Sequence, residues 1–330
     1  VAAVSAKPRV FVTQPIAPSA LARLREIARV TINTDPVKIY PHAKLIAAVK
    51  KCDILYGLLH DTIDKKVIAA NPKLRAICSQ SITPDNIDVA EATKRGIVVT
   101  VTPPIVAEAT ADIHFALLLA VARRVVEGDK LVRSGKFPGS QSNYLSGGFV
   151  HGKTIGIVGA GRIGQATAKR ARGFGMKVLY WGPRRKADAE REIQMEHVSL
   201  DRLLMESDFV SLHPPLNKDT RHMISDAQFA KMKPTAYIIN TARGPVIDEA
   251  AMVRALKKKK IAGAGLDVFE HEPKVSPALL KMNNVVLTPH LGSAVAEVRD
   301  RMAGAVVDNI NALLSGLMPP NCVNPEVLKR

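Results

Sequence analysis

The chain has 330 residues, longer than one ordinary domain, so two domains are the default expectation. Hydrophobic residues make up 47% and charged residues 23%, the balance of a soluble globular protein with apolar material for two cores. Against 47 Lys and Arg stand 30 Asp and Glu, a formal charge of +17; the field attracts anions, but the cations are scattered and carry no aromatic interleaving, so no nucleic-acid partner is expected.

The longest apolar run, Phe115–Ala122, is too short to span a bilayer, and no membrane association is expected. Val1–Pro8 has no charged segment leading into an apolar one and does not read as a signal peptide. Cys52, Cys78 and Cys322 show neither metal-ligand spacing nor a paired framework, so no metal is expected and a reducing cytoplasm is the natural compartment.

In chain order, apolar strands are expected at Arg9–Thr13, Val30–Asn33, Asp53–Leu58, Leu74–Ser79 and Val98–Thr102. Helical patterns over Ser19–Ala28, Ala43–Lys51 and Asp64–Ala70 separate them, which means a parallel sheet covered on both faces. A long helical stretch follows over Val106–Arg133, too apolar for a surface helix and expected to cross between domains. A loop rich in Gly and Ser, Gly135–Gly148, leads to a second series. Its strands are Thr154–Val158, Lys177–Trp181, Phe209–His213, Ala236–Asn240, Gly263–Val268 and Val285–Thr288, six in all and suited to a doubly wound dinucleotide fold. A last helix, about Ala294–Leu314, is expected to return to the first domain.

The fold class is therefore α/β, with two doubly wound parallel-sheet domains. A Rossmann-type nucleotide-binding domain (residues 103–293) is inserted in a flavodoxin-like substrate-binding domain (residues 1–102, with 294–330 returning to it). The cleft between two such domains is where an active site is expected.

Strand Thr154–Val158 runs into Gly159-Ala160-Gly161-Arg162-Ile163-Gly164 and then an Ala-rich helix. Gly159 allows the tight turn, Gly161 lets backbone approach a pyrophosphate, and Gly164 lets helix and strand pack closely. The helix N-terminus adds free N–H groups and positive dipole. The next strand ends Trp181-Gly182-Pro183-Arg184-Arg185-Lys186, with no carboxylate to hold ribose hydroxyls. Arg184 and Arg185 would pair with a 2′-phosphate, so NADP(H) is favoured and NAD(H) stays open.

Three polar residues stand at or beyond the C-terminal ends of second-series strands: Arg243, Glu272 and His290. Reduction of a 2-oxo acid needs a cation for the carboxylate and carbonyl, and an acid that titrates near neutrality. A carboxylate beside an imidazole favours its charged form. One Arg, one Glu and one His supply those roles, although each alone also suits an ordinary surface or strand-end position.

The segments Val106–Ala111, Gly152–Gly159, Asn240–Gly244, Gly265–Phe269, Glu272-Pro273 and Thr288–Ser293 occur together in this order. On these the chain resembles the D-isomer-specific 2-hydroxyacid dehydrogenases, nearest to the glyoxylate/hydroxypyruvate reductases, over nearly its full length. The resemblance implies that Arg243 binds the substrate carboxylate and carbonyl, His290 is the acid/base, and Glu272 orients and tunes it. It also implies a cofactor site that includes Thr110, Arg162, Ile163, His213, Pro214 and Thr220. Thr241, Ala242, Asp267, His290 and Gly292 complete that implied set, with Asp267 near the nicotinamide carboxamide.

The implied substrate set is Leu59, Ser81, Ile82 and Thr83 with Arg243 and His290. Here the chain departs from its relatives: Ser81-Ile82-Thr83-Pro84 replaces a glycine-rich turn before Asp85-Asn86-Ile87-Asp88, which fills space and removes a backbone donor. The long helix and the Gly135–Gly148 loop, with Tyr144, resemble a dimer-forming region, so a homodimer is expected. Two alternatives follow from the same resemblance: a phosphite-oxidising relative, faintly suggested by Ser293-Ala294-Val295, and a nucleotide-sensing corepressor.

Overall fold

Strands of this chain are short and apolar because helices cover them on both sides. Ile54-Leu55-Tyr56-Gly57 and Ala76-Ile77-Cys78-Ser79 are buried at every position, as central strands of a parallel sheet must be. The computed structural model describes residues 6–329. The described chain falls into two compact units, residues up to Ile105 together with Val295 onward, and Val106–Ala294.

The first unit runs β1 (Arg9–Val12), α1 (Pro18–Ile27), β2 (Arg29–Ile32), α2 (His42–Val49), β3 (Ile54–Gly57), α3 (Lys65–Ala69), β4 (Ala76–Ser79), α4 (Val89–Lys94) and β5 (Val98–Thr100). All pairings are parallel, in the order β2-β1-β3-β4-β5, the flavodoxin-like arrangement.

The second unit opens with α5 (Ala107–Ala122) and α6 (Val125–Arg133). It continues β6 (Thr154–Val158), α7 (Arg162–Gly173), β7 (Lys177–Trp181), α8 (Ala187–Ile193), β8 (Met195–His197), α9 (Leu200–Glu206) and β9 (Phe209–Leu212). It ends α10 (Asp226–Phe229), β10 (Tyr237–Asn240), α11 (Glu249–Lys257), β11 (Gly263–Leu266) and β12 (Val285–Leu287). Its parallel order is β12-β11-β10-β9-β6-β7-β8, a Rossmann-type sheet. Chain order reverses between β6 and β9, the switch point at which such sheets bind ligands.

The remaining helix, α12 (Ala296–Leu314), belongs to the first unit. Its Ala303, Val306, Val307 and Ile310 share a core with Leu24 of α1 and with β1, β3 and β4. Asn324, 1% exposed, then fastens the terminal segment to the sheet. Its Oδ1 accepts from Val99 N at 2.8 Å, and its Nδ2 donates to Thr93 Oγ1 and Ile97 O, each at 2.9 Å.

Three expectations are corrected. The second sheet has seven strands, because Met195–His197 adds an edge strand whose last two residues are exposed and polar, with no apolar run to announce it. The stretch Val106–Arg133 is two helices: Arg124 adopts φ 54°, a left-handed turn held by its ion pair to Glu127 at 2.6 Å. Both helices lie within the second unit and do not cross between domains. Nine of the sixteen residues of α5 are buried against α7, β10 and β11, which explains why its apolar residues are too dense for one stripe. No helix among the described residues is long and apolar enough to cross a membrane.

Candidate active site

The glycine turn after β6 has the shape of a phosphate cradle. Gly159 stands at φ +94°, and a Cβ there would lie 2.9 Å from Pro214 N and 3.0 Å from the carbonyl carbon of His213, at the end of β9. A Cβ on Gly164 would meet the Gly159 carbonyl oxygen at 2.3 Å, so strand and helix touch there. At Gly161 the opposite holds. A Cβ would meet nothing within 4 Å, and this residue caps α7 without any side-chain hydrogen bond to the helix N–H groups. Open space above unsatisfied N–H groups is what a dinucleotide pyrophosphate requires, and the site fits one. Arg162 is exposed and Ile163 half-buried on the first turn of α7.

At the end of β7, Trp181 is half-buried and Arg184 and Arg185 are exposed. The expectation that no carboxylate is available here needs correction. Glu190, on α8, reaches back to accept from Arg185 Nη2 at 2.8 Å and Nε at 2.9 Å, and from the Tyr180 hydroxyl at 2.6 Å. The Arg185 guanidinium, followed by the Tyr180 hydroxyl, lowers the Glu190 carboxyl to about 2. Among the described residues Arg184 makes no ion pair. The acid is not part of the strand end itself: it arrives from the next helix, five residues beyond Arg185.

β10, β11 and β12 are neighbours whose ends are level, with Asn240 opposite Leu266 and Leu266 opposite Leu287. Arg243, Glu272 and His290 all follow these ends. The Asn240 side chain shapes the Arg243 turn: its Oδ1 accepts from Ala242 N and its Nδ2 donates to Arg243 O, both at 3.0 Å. Gly244 lets that turn press against the next loop, since a Cβ there would lie 1.9 Å from the backbone carbonyl of Phe269. Glu272 uses both carboxylate oxygens. Oε1 accepts from Phe269 N at 3.0 Å, and Oε2 lies 2.9 Å from Nδ1 of His290. With Nδ1 turned to Glu272, Nε2 is the ring nitrogen on the side away from that carboxylate. His290 stands at φ 56°, an uncommon conformation for a residue other than glycine.

The remaining implied cofactor residues also lie in the second unit. Thr110, 4% exposed, donates to Gly292 O at 3.1 Å. Asp267, 1% exposed, accepts from Thr288 Oγ1, Leu291 N and Gly292 N at 2.6, 2.7 and 2.9 Å. Thr220 spends its hydroxyl on its own loop, donating to Pro215 O at 2.6 Å. Thr241 and Ala242 are buried at the base of the Arg243 turn, and His213 and Pro214 close the end of β9.

In the first unit, Leu59 follows β3 and Ser81, Ile82 and Thr83 follow β4, at level ends because Gly57 pairs with Ser79. Asn86 ties the two loops, donating to Leu58 O at 2.9 Å and Asp61 O at 2.7 Å. Buried Asp61 accepts from Leu58 N at 2.7 Å and from Thr13 at 2.5 Å; burial still raises its carboxyl above the usual range. The Ser81 hydroxyl accepts weakly from Thr83 N at 3.4 Å, and the Thr83 hydroxyl donates to Asp85 at 2.8 Å.

Known proteins match this chain closely. Residues 115–292 match the family model for the D-isomer specific 2-hydroxyacid dehydrogenase NAD binding domain. A glyoxylate reductase of Thermococcus litoralis is 49% identical over 98% of both chains, and one of Korarchaeum cryptofilum is 51% identical over 98% of both. Among solved structures, an NADPH-dependent glyoxylate/hydroxypyruvate reductase of Sinorhizobium meliloti, in complex with NADP and malonate, superposes with a TM-score of 0.85 at 31% identity. That alignment covers 96% of this chain and 97% of the other. The chain belongs to the D-isomer specific 2-hydroxyacid dehydrogenase family. It is a nicotinamide-dependent oxidoreductase.

The close approach at Gly244 generates a prediction. Gly244→Ala forces the Arg243 turn away from Phe269 and Glu270, since the clash is with backbone and no rotamer relieves it. We expect kcat/KM for the 2-oxo acid to fall at least about 10²-fold, with the far-ultraviolet circular dichroism of the native fold retained. A variant with wild-type kinetics would show that this contact does not set the site.

Proposed function

We propose that the protein reduces a small 2-oxo acid of the glyoxylate or hydroxypyruvate type to the D-2-hydroxy acid. The observation that carries this reading is the His290–Glu272 pair at 2.9 Å, level with the Arg243 turn on adjacent strand ends. When bound, the reduced nicotinamide supplies the hydride that the keto carbon takes up. Arg243 holds the substrate carboxylate and draws electron density from the carbonyl as the oxygen becomes negative. His290 delivers a proton from Nε2 to that oxygen, while Glu272 holds Nδ1 and fixes the ring's orientation. Atoms balance: one hydride reaches carbon, one proton reaches oxygen, and His290 recovers its proton from solvent. Residues up to Ile105 serve substrate recognition through Leu59, Ser81, Ile82 and Thr83, and Val106–Ala294 binds the nucleotide.

We infer NADP(H) as the preferred cofactor. Exposed Arg184 and Arg185 follow β7, where a 2′-phosphate would be met, and a glycine cradle precedes them. Glu190 already engages Arg185, which leaves Arg184, of the two arginines, without an ion pair among the described residues and makes the preference one of degree. The free thiols of Cys52, Cys78 and Cys322 suit a reducing, cytoplasmic setting.

We also infer a homodimer. Val125 and Val132 of α6 are 55% and 60% exposed, and Phe137, Tyr144 and Phe149 on the following loop are 59%, 52% and 68% exposed. Apolar side chains gathered in one sequence region and left in water mark a self-association face.

Four outcomes are expected. His290→Ala lowers kcat for glyoxylate about 10²–10⁴-fold while the dissociation constant for NADPH, read by fluorescence, stays within about twofold; a mutant that turns over like wild type removes His290 from the chemistry. Changing Arg184 and Arg185 together to Ala raises KM for NADPH about tenfold and leaves KM for NADH nearly unmoved. Glu190→Gln, by releasing Arg185, lowers KM for NADPH instead, and equal effects on both cofactors would reduce the arginines to surface charge. Multi-angle light scattering at micromolar protein gives the mass of two chains, and Phe137→Asp with Phe149→Asp shifts it toward one. A wild-type protein with the mass of a single chain would contradict the dimer.

A further inference from the structure

Four side chains form an unbroken hydrogen-bonded chain inside the second unit. Thr241, just past β10, places Oγ1 2.9 Å from Nδ1 of His114 on α5. The other nitrogen of that ring, Nε2, lies 2.5 Å from Oγ of Ser211 on β9. Ser211 Oγ lies in turn 2.9 Å from Nε2 of His213. His114 and Ser211 are 0% exposed and Thr241 is 6% exposed. The two rings lean together, with centroids 4.6 Å apart. The chain ends on an orphan, because Nδ1 of His213 is buried and has no hydrogen-bond partner. Burial pushes both imidazoles down, His213 to about 3, so both are neutral.

Proton arithmetic then permits two arrangements. A neutral imidazole carries one N–H and Ser211 one O–H; where that O–H is spent within the chain, Ser211 donates to one Nε2 and accepts from the other. In the first arrangement His213 Nε2–H donates to Ser211, Ser211 donates to His114 Nε2, and His114 Nδ1–H donates to Thr241. His213 Nδ1 is then a bare lone pair. In the second every direction reverses: Thr241 donates to His114 Nδ1, His114 Nε2–H donates to Ser211, and Ser211 donates to His213 Nε2. His213 Nδ1 then carries an N–H. A buried acceptor without a donor is tolerated more often than a buried N–H without an acceptor, so the protein alone takes the first arrangement.

The backbone of His213 lies against the Gly159 turn, beside the cradle fitted to a pyrophosphate. Phosphate and ribose oxygens there are acceptors. His213 is partly exposed as a residue, at the edge of the core and not within it. We propose that Thr241, His114, Ser211 and His213 act as a neutral hydrogen-bond relay, through which an acceptor oxygen of the bound dinucleotide at His213 reorients the Thr241 hydroxyl at the base of the Arg243 turn. The proposal rests on the nucleotide reading of the glycine turn. The exchange takes up one proton at His213 Nδ1 and releases one from Thr241 Oγ1, with water as source and acceptor, and every group stays neutral. Thr241 changes from a hydroxyl that accepts from His114 to one that donates to it. His114 is thereby a positioning residue; an Asn or Gln amide cannot exchange donor for acceptor without turning over.

Long-range proton–nitrogen NMR on protein with ¹⁵N-labelled histidines reads both tautomers directly. Without nucleotide, the proton is expected on Nε2 of His213 and Nδ1 of His114. With saturating NADPH both exchange, to Nδ1 of His213 and Nε2 of His114. In Ser211→Ala the His213 signal still responds and His114 no longer does. Tryptophan-excited NADPH fluorescence on the same samples reports binding itself, so a protein that binds no nucleotide overturns the nucleotide reading separately. Bound NADPH with an unchanged His114 tautomer overturns the relay, as does a His114 response that survives in Ser211→Ala. The wild-type spectra decide the matter alone if that variant does not fold.

Discussion

Asp267 is a carboxylate taken out of water, and it survives there because three donors converge on it from residues 288, 291 and 292. Burial pushes its carboxyl above the usual range, and those hydrogen bonds pull the other way. Its backbone oxygen accepts a fourth bond, from His290 N at 2.9 Å. The whole segment after β12 is therefore wrapped around one side chain at the end of β11. That wrapping holds His290 in the left-handed region, a conformation that costs on the order of 1 kcal/mol or more and persists only where neighbours over-determine it. Glu272 extends the same logic, with one oxygen on its own loop and the other on the imidazole. Gly244 then brings the Arg243 turn against that loop. Ring, carboxylate and guanidinium are thus set by backbone contacts among three adjacent strand ends, which is the kind of support a precisely oriented site needs.

Parts of this were legible in the sequence because their causes are local. The Gly159–Gly164 turn shows itself through strand, glycines and helix in one continuous stretch, and Arg243, Glu272 and His290 stand just beyond apolar runs that could be recognised as strands. What stayed hidden depends on distance or on weak patterning. Met195–His197 has only one buried residue to mark it as a strand. Arg124 breaks a helix without a glycine or proline to signal the break. Glu190 reaches Arg185 only after α8 folds back. His114 lies 127 residues before Thr241 and 97 before Ser211, and on an apolar helix it reads as one more packed side chain.

The excess of cations acquires a meaning when its members are placed. Many arginines are spent on neighbouring acids: Arg170 binds Glu108 and Asp112, Arg202 binds Glu196 and Glu206, and Arg254 binds Asp226. Such exposed pairs add little stability individually. The exposed Lys257–Lys260 run sits where a helix C-terminus welcomes positive charge. Arg162 does not fit that rule. It opens α7, where the helix dipole disfavours a cation, and only an anion nearby would offset both. A cation in that unfavourable place, beside an uncapped cradle, is a stronger indication of a phosphate than the net charge of the whole chain.

A division of charge runs through the second unit. Charged and titratable groups stand beyond the ends of β10, β11 and β12, where Glu272 pairs with His290 and Arg243 is half-buried. The chain of Thr241 after β10, His114 on α5, Ser211 on β9 and His213 after β9 is built instead from neutral groups: two imidazoles, a serine and a threonine. Burial enforces this, since a protonated His114 would sit without water, without a carboxylate partner in that chain, and against a second imidazole. Neutral groups that can each donate or accept carry orientation without carrying field. In the proposed relay they would respond to an acceptor at one end without adding charge beside Arg243 and Glu272 at the other. A charged residue in place of His114 would couple the two ends as well, but only by adding its own potential to the site where a carbonyl oxygen turns negative.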